Sequence, residues 1–202
     1  MTRLDHLVLA AQTLQEGVEY VQATLGVEPP PAGGKHPLMG THNRLLNLGH
    51  GAYLEIIAVD PEAPTPDRPR WFELDRFVGP PRLLTWVACS EALECYAALG
   101  LGPVCKARRG DLEWHITLPE DGRLHWGGVV PYLIQWGSRH PSETLPETGC
   151  RLEELVLRHP EPQAVDRVLR SLELDWRLVR LEHAESAQLV ALLQTPAGLK
   201  RL

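Results

Sequence analysis

Two polar residues stand inside apolar, strand-like segments. By the alternation of side chains along a strand, His6 is predicted to share a face with Leu4 and Val8. Glu55 lies in the middle of the segment Ala52–Val59, again among large apolar residues. Burying a carboxylate in such surroundings is costly unless a cation neutralises it. Because imidazole and carboxylate both bind Zn²⁺, Mn²⁺, Fe²⁺ and Ni²⁺, the pair indicates a site for a divalent metal or a small polar molecule.

Each of the two residues also has a purely structural explanation. A lone histidine on an apolar strand is most often a hydrogen-bonded core residue, and Glu55 could form an ion pair with Arg44 or Lys35. The occurrence of His6 and Glu55 on the first and last strands of one unit favours a shared ligand over two unrelated packing roles.

A polar segment between these strands offers further candidates. Residues Glu28–Gly40 are rich in glycine and proline, and we predict an irregular loop there. Its His36 is expected to supply a third metal ligand or a general base, with Glu55 as the alternative base. His42 is a second candidate of the same kind, and Asn43 could donate a hydrogen bond to a substrate carbonyl. The structural alternative is a loop whose histidines are exposed to solvent.

The elements that must position these residues recur along the chain. The segments RLDHLVLAA, RLLTWVACS and RLEELVLRH resemble one another, and each precedes a helix-like stretch and further strand-like segments. The resulting order is βαβββ twice, followed by a partial βαββ copy that lacks its last strand. We therefore predict an α+β chain that forms a single compact domain. Its three units are predicted at residues 1–60, 82–137 and 150–202.

Helices and linkers complete this outline. Helices are predicted over residues 14–25, 91–99 and 162–172, where apolar residues recur at three- and four-residue spacing. Composition indicates that Asp60–Pro81 and Gly137–Gly149 are linkers, and His140 is expected at the surface. The alternative is a generic α+β chain whose short apolar strands resemble one another by chance.

Composition and charge limit the range of partners. The net charge is −6 at pH 7 and the two signs are interspersed, which argues against nucleic acid because phosphate binding needs a basic face. No segment approaches the roughly 20 apolar residues of a membrane span, so no membrane partner is expected. The four cysteines form no CxxC pair, which favours reduced thiols and a cytoplasmic location.

Five short motifs carry a resemblance to a known superfamily. They are LDHLV at 4–8, GGKHP at 33–37, GTHN at 40–43, YLEI at 53–56 and PYLIQW at 131–136. Together they resemble the glyoxalase-like branch of the vicinal-oxygen-chelate superfamily. The resemblance implies paired βαβββ modules of the glyoxalase/dihydroxybiphenyl-dioxygenase kind that meet edge to edge around a cavity. It also implies metal ligands on the first and last strands, at His6 and Glu55.

The second module departs from this pattern. A complete site would take two further ligands from it, but the position matching His6 is Thr85 and the position matching Glu55 is Ile134 or Gln135. Threonine and isoleucine are poor ligands and glutamine is a weak one. Half of the ligand set is therefore missing, which argues against lactoylglutathione lyase activity itself.

The resemblance nevertheless implies a function and a set of roles. The chain would be a metal-dependent lyase or isomerase acting on a small carbonyl substrate, with His6, His36 and Glu55 as the metal triad. Trp86 and Gln135 are expected to contact the substrate. The alternative, favoured by the incomplete ligand set, is a non-enzymatic protein that binds a small molecule in the same cavity. A homodimer is a further expectation, since such sheets often pair through their edges.

Overall fold

The computed structural model describes residues 1–137 and 139–202 and confirms the predicted α+β fold. Ser138, which belongs to the predicted linker Gly137–Gly149, lies outside the described residues. The helices are α1 (Leu14–Leu25) and α2 (Pro162–Ser171). The strands are β1 (Arg3–Ala10), β2 (Gly33–His36), β3 (Thr41–Asn47), β4 (Tyr53–Val59), β5 (Arg82–Cys89), β6 (Val104–Arg109), β7 (Leu112–Thr117), β8 (Tyr132–Trp136), β9 (Arg151–His159), β10 (Val179–His183), β11 (Gln188–Thr195) and β12 (Gly198–Arg201).

The helix after the first strand begins and ends as its sequence predicts. The Thr13 side chain accepts a hydrogen bond from the Glu16 backbone N–H at 3.1 Å, which caps the N-terminus of α1. Gly26 ends the helix in the left-handed conformation, at φ 71°. Val21 and Leu25, four residues apart, are both buried against the sheet.

The prediction of an α-helix in the second module is wrong about the type of helix. Leu93–Leu99 forms a 3₁₀ helix instead of an α-helix. Its two buried residues, Leu93 and Tyr96, are three positions apart, a spacing that suits the three-residue turn of a 3₁₀ helix. Ala92 at its start has no side chain that could cap an α-helix.

Two modules build one large sheet. Its strand order is β2-β3-β4-β1-β5-β8-β7-β6. Within each module the first and last strands pair in parallel, β1 with β4 and β5 with β8. Strands β1 and β5 pair antiparallel and so join the modules edge to edge, as the resemblance implies.

The two faces of this sheet have different partners. One face packs against α1 and the C-terminal segment in a core that includes Leu7 and Leu155. The opposite face packs Val8 and Ile57 against the aromatic ring of Trp114 and its neighbours. Residues that alternate along one strand therefore serve two separate cores.

The outer strands β2 and β6 approach each other and close the inner face into a cavity. A Cβ atom on Gly34 would lie 3.1 Å from Cδ of Arg109, so the close approach favours a glycine at this position. The loop predicted here is wrong, because Gly33–His36 is an edge strand in which His36 pairs with Thr41 of β3.

The segment Asp60–Pro81 is more than the linker that its composition predicts. Trp71–Arg76 forms a short 3₁₀ segment that buries Trp71 and Phe72 on the inner face of the sheet. The backbone N–H of Glu73 donates to the carbonyl of Gly122 at 2.9 Å and so ties this segment to the second module. The connection between the modules thereby supplies part of the cavity wall.

The C-terminal unit forms a second sheet with the strand order β10-β9-β11-β12. The prediction that it lacks a last strand is wrong, because Gly198–Arg201 pairs with β11 after a tight turn. Strand β9 pairs in parallel with β10, which follows α2 after the short 3₁₀ segment Trp176–Leu178. No helix in residues 1–137 or 139–202 is long and apolar enough to cross a membrane.

Candidate active site

Asp5 and His6 are adjacent in β1, yet their side chains meet. The pairing of β1 with β5 shifts by one residue between Leu4 and His6, which makes Asp5 the extra residue of a β-bulge. His6 and Val8 therefore face the cavity side, whereas Leu4 belongs to the outer core. The sequence analysis placed Leu4 on the face of His6 because it assumed a regular strand.

The Asp5 carboxylate is buried and accepts three hydrogen bonds. His6 Nδ1 lies 2.6 Å from Oδ1, and His140 Nε2 and Trp136 Nε1 each lie 3.0 Å from Oδ2. Burial alone would raise the pKa of Asp5, but the hydrogen bonds and charges of His140 and His6 hold it well below its usual value. Asp5 is therefore a fixed anion that orients His6, and His140 lies against it and not at the surface as predicted.

His6 is held between two carboxylates. Its ring stacks on Tyr53 with centroids 4.6 Å apart, and its Nε2 lies 3.6 Å from Oε2 of Glu55. Burial lowers the pKa of His6, but the hydrogen bond to Asp5 and the contact with Glu55 outweigh it and raise this pKa to about 9. In the absence of a metal ion the ring is therefore protonated at neutral pH.

Glu55 lies at the centre of the group. It occupies β4 directly beside β1, where its backbone pairs with Val8. Asn43 Nδ2 donates to Oε1 at 2.6 Å, and His36 Nε2 lies 3.9 Å from the same oxygen. Burial would raise the pKa of Glu55, but contact with His6, the charge of His36 and the Asn43 hydrogen bond lower it to about 2. The group is an anion despite being buried.

His36 presents an unprotonated nitrogen to this carboxylate. Its Nδ1 lies 3.0 Å from Thr41 Oγ1, and its Nε2 lies 3.3 Å from Nδ2 of Asn43. An amide nitrogen can only donate, so Nε2 accepts and Nδ1 carries the proton. Burial lowers the pKa of His36 to about 4, which keeps the ring neutral at pH 7.

Asn43 links the two modules through its amide. Its Oδ1 accepts from the Gly34 backbone N–H at 3.0 Å and from Arg109 at 2.9 Å. These two donors fix the orientation of the amide, so its NH₂ group must face Glu55 and His36. Arg109 on β6 thereby contacts residues of the first module directly.

The cavity has a polar floor and aromatic walls. Its empty volume is about 340 Å³, which includes the part that is open to solvent. The enclosed part has room for about one or two water molecules. The lining residues are His6, His36, Tyr53, Glu55, Trp71, Phe72, Arg109, Trp114, Ile116, Ile134 and Trp136.

Four residues predicted to contact a ligand do not line this cavity. The Asn43 amide is engaged by Glu55, Gly34 and Arg109 instead. Trp86 lies in the outer core, where its Nε1 donates to the Val129 carbonyl at 3.0 Å. Gln135 donates to the carbonyl of Glu91 at 2.7 Å, away from the cavity. His42 alternates with Asn43 along β3, so its ring points to the other side of the strand.

The second module contributes a different residue from those predicted at the position of Glu55. In the first module Val8 pairs with Glu55, and in the second the matching Val87 pairs with Tyr132. The second-module residue equivalent to Glu55 is therefore Tyr132, and the predicted equivalents Ile134 and Gln135 are wrong.

Neither matching side chain of the second module is a free donor for a metal. The Tyr132 hydroxyl donates to the Arg123 carbonyl at 2.6 Å, and Thr85 Oγ1 donates to the Gly128 carbonyl at 3.0 Å. Burial also raises the pKa of Tyr132 well above its usual value, which disfavours the phenolate that would bind a metal. The second module therefore lacks the two metal ligands that the family resemblance implies, in the structure as in the sequence.

The sequence analysis missed four residues of the site: Asp5, Trp71, Arg109 and His140. Asp5 was overlooked because regular alternation would turn it away from His6, and only the bulge brings the two together. Arg109 ends the charged run Lys106–Arg109, which has the composition of a solvent-exposed strand. The one signal that could have indicated Asp5 is the presence of an aspartate directly before a histidine within the apolar strand β1.

The donor set fits a divalent transition metal in its chemistry. It contains two imidazole Nε2 atoms, from His6 and His36, and the carboxylate of Glu55. His6 Nε2 lies 3.6 Å from Oε2 of Glu55, and His36 Nε2 lies 3.9 Å from Oε1. Within residues 1–137 and 139–202, no group of three or more His, Cys, Asp or Glu side chains is arranged as a ready metal site. A divalent ion held by these residues would compete with the proton of His6.

Comparison of structures places the fold among known ones. A hypothetical protein from Staphylococcus aureus aligns with a TM-score of 0.63 and 12% identity, covering 93% of this chain and 88% of that one. Methylmalonyl-CoA epimerase from Streptomyces coelicolor aligns with a TM-score of 0.45 and 20% identity, over 68% of this chain and 99% of the epimerase. The corresponding values for the Mycobacterium tuberculosis epimerase are 0.42 and 19%, over 66% and 85%.

Comparison of sequences identifies the family. No curated protein matches the chain significantly. The family model described as "Glyoxalase-like domain" matches residues 4–173, which include both modules of the large sheet and the start of the C-terminal unit. The chain therefore belongs to the glyoxalase-like domain family.

Proposed function

We propose that this protein is a metal-assisted lyase or isomerase that acts on a small carbonyl compound. The observation that carries the proposal is the arrangement of the two cavity histidines. Each is held at Nδ1 by a buried oxygen, from Asp5 or Thr41, and each presents Nε2 to the Glu55 carboxylate. Hydrogen bonds of this kind orient metal-binding histidines and set their tautomer. In this proposal His6, His36 and Glu55 hold the ion.

The cavity residues have separate roles in the proposed reaction. A divalent ion supplies Lewis acidity that polarises a substrate carbonyl. Glu55 keeps its position because Asn43 holds Oε1, which leaves Oε2 facing the cavity. His36 is neutral at pH 7, and its Nε2 would exchange the long 3.3 Å contact with the Asn43 amide for the ion or for a proton next to the carbonyl. Glu55 is the alternative proton acceptor. The aromatic walls limit access of water to this step.

Proton exchange in heavy water tests this proposal. Zinc- or manganese-loaded protein is expected to speed the loss of the α-proton NMR signals of at least one member of a panel of small ketones, aldehydes and 2-oxo acids. His36→Gln and Glu55→Gln should slow the exchange by about 100-fold or more, the usual size of a general-base contribution. His115→Gln changes an exposed histidine of β7 and should leave the rate unchanged. A wild-type protein without effect on any compound would reject the proposal.

A second candidate function is favoured by one observation. Apart from Arg109, the second module lines the cavity with apolar and aromatic residues only, namely Trp114, Ile116, Ile134 and Trp136. Such a wall suits a protein that binds a small molecule without transforming it. That protein would show saturable ligand binding by calorimetry and no proton exchange in the same panel.

A further inference from the structure

Arg109 is a cation at the cavity that the proposed chemistry does not use. It stands on β6, lines the cavity, and is only partly exposed. Its NH1 group donates to Oδ1 of Asn43 at 2.9 Å, which fixes the guanidinium beside the residues of the first module. An arginine offers five N–H donors in a planar fork, so most of its hydrogen-bonding capacity is available to another group.

No carboxylate of the described residues neutralises this arginine. Arg109 forms no ion pair within 4 Å in residues 1–137 and 139–202, and its side-chain partner there is the amide oxygen of Asn43. A guanidinium that faces a water-poor cavity is stabilised by an anion with a matching planar fork, which a carboxylate provides. A ligand is the natural source of that carboxylate.

A second unsatisfied donor belongs to the same cavity. Trp71 lines it and is 3% exposed, yet its indole Nε1–H has no hydrogen-bond partner in the described part of the chain. A buried donor without a partner is destabilising, so a ligand oxygen that accepts from it would be favoured.

We propose that the substrate is a small 2-oxo carboxylate whose carboxylate is bound by Arg109, with Trp71 as a further donor to a ligand oxygen. The inference rests on the proposed function for the carbonyl and on Arg109 and Trp71 for the acid group. It narrows the class of carbonyl compounds to those that carry one carboxylate close to the reacting carbon. The small cavity requires that the rest of the molecule be short or extend toward solvent.

Isothermal calorimetry with matched acids and esters tests the inference. Pyruvate, 2-oxobutyrate and phenylpyruvate are each compared with the methyl ester, on zinc-loaded and on EDTA-treated protein. Wild type is expected to bind at least one acid about tenfold or more tightly than its ester, as expected for a charge-assisted bidentate contact. Arg109→Gln should abolish this preference without changing ester binding, and Arg109→Lys should keep only part of it. Arg108→Gln removes the same charge from an exposed neighbour and should behave as wild type.

Two results would overturn the inference: a wild-type protein with no preference for any acid, or an Arg109→Gln variant that keeps the full preference. If Arg109→Gln does not fold, as judged by circular dichroism, Arg109→Lys replaces it in the test. This variant should then prefer the acid over the ester less strongly than wild type does. Metal content measured on the same samples separates this inference from the proposed function. If EDTA-treated protein prefers the acid and the protein binds no metal, the role of Arg109 is supported and the metal-assisted function is rejected. If the protein binds metal but does not prefer the acid, the metal site is supported and the role of Arg109 is rejected.

Discussion

At the scale of single residues, the chemistry of the cavity depends on the hydrogen bonds that fix its two histidines. Asp5 holds His6 at 2.6 Å, and Thr41 holds His36 at 3.0 Å. Both partners are fully or almost fully buried, so water does not compete for these bonds. An imidazole whose Nδ1 is hydrogen-bonded has only Nε2 left for another partner. The Asp5 and Thr41 oxygens therefore determine that Nε2 of each histidine faces Glu55.

Removal of the Asp5 charge should weaken metal binding although Asp5 touches no ion. We expect Asp5→Asn to lower zinc affinity by about 10- to 100-fold, the usual effect of losing such an orienting partner. Competition with a chromophoric chelator measures the change. Asp121→Asn, at an exposed aspartate, is the matched control. An Asp5→Asn variant with unchanged affinity would contradict the role of Asp5.

The stability of metal-depleted protein should depend on pH through the same group. The pKa of His6 is raised to about 9, so its contribution is complete below pH 6.5 and is lost as the pH rises through 9. The pKa values of Asp5 and Glu55 are lowered, so their contributions are present above about pH 4.5 and are lost as the pH falls. The pKa of His36 is lowered to about 4, so its buried neutral ring costs stability as the pH falls below 6.5. Maximal stability is therefore expected near pH 6.5.

Urea unfolding in EDTA measures this dependence. Between pH 6.5 and 9 the wild-type protein should lose up to about 3 kcal/mol of unfolding free energy beyond any general trend. His6→Gln should remove that loss, whereas His115→Gln should retain it. Equal losses in wild type and His6→Gln would show that His6 does not titrate as its surroundings indicate.

The sequence predicted those site residues whose polarity contrasts with their segment. His6, Glu55 and Asn43 lie together with His36, and this contrast was visible without a structure. Trp86 could not be placed, because one residue of register decides which face of a strand a side chain takes.

At the scale of elements, the hairpin of β2 and β3 places both His36 and Asn43 beside Glu55. Its first residue, Gly33, adopts φ 146°, and a Cβ atom there would lie 2.1 Å from the carbonyl oxygen of Asn43. Only glycine permits the two backbones to approach in this way.

Gly33→Ala should therefore displace β2 and loosen the site. We expect a melting temperature several degrees lower and at least about tenfold weaker zinc binding, since a steric clash with backbone cannot be relieved by a rotamer change. Gly110→Ala is the control, because Gly110 also has a positive φ but open space around it. If both variants bind zinc as wild type does, the hairpin does not position the site as described.

The order of elements was predictable, and their irregularities were not. Hydrophobic periodicity located β1, α1 and the strands that follow. It could not reveal the bulge at Asp5, which depends on pairing with β5, or the four-residue strand β12, which is too short to show a pattern. The β2 strand looked like a loop because its two glycines hide the alternation of side chains.

At the scale of the whole molecule, the C-terminal unit shares its core with the sheet that carries the site. Leu155 of β9 and Leu193 of β11 are fully buried in the same cluster as Leu7 of β1. The unit therefore supports the strand that positions His6 from the face opposite the cavity.

Leu155→Ala should destabilise the entire protein in one cooperative step. The loss of a fully buried leucine side chain costs about 2–5 kcal/mol. Tryptophan fluorescence, to which five of the six tryptophans contribute from residues 71–136, should show the same lowered midpoint as circular dichroism. Leu199→Ala, at a residue that is 62% exposed, should leave the midpoint unchanged. Two separate transitions would show that the C-terminal unit folds independently.

Metal stoichiometry tests the central claim of this account most directly. After equilibration with zinc and gel filtration, wild type and His115→Ala should each carry about one ion per chain by elemental analysis. His6→Ala, His36→Ala and Glu55→Ala should each lose most of it, because three donors are needed to hold the ion. A wild-type protein without zinc, or three variants that retain it at the wild-type level, would contradict the assignment of these residues.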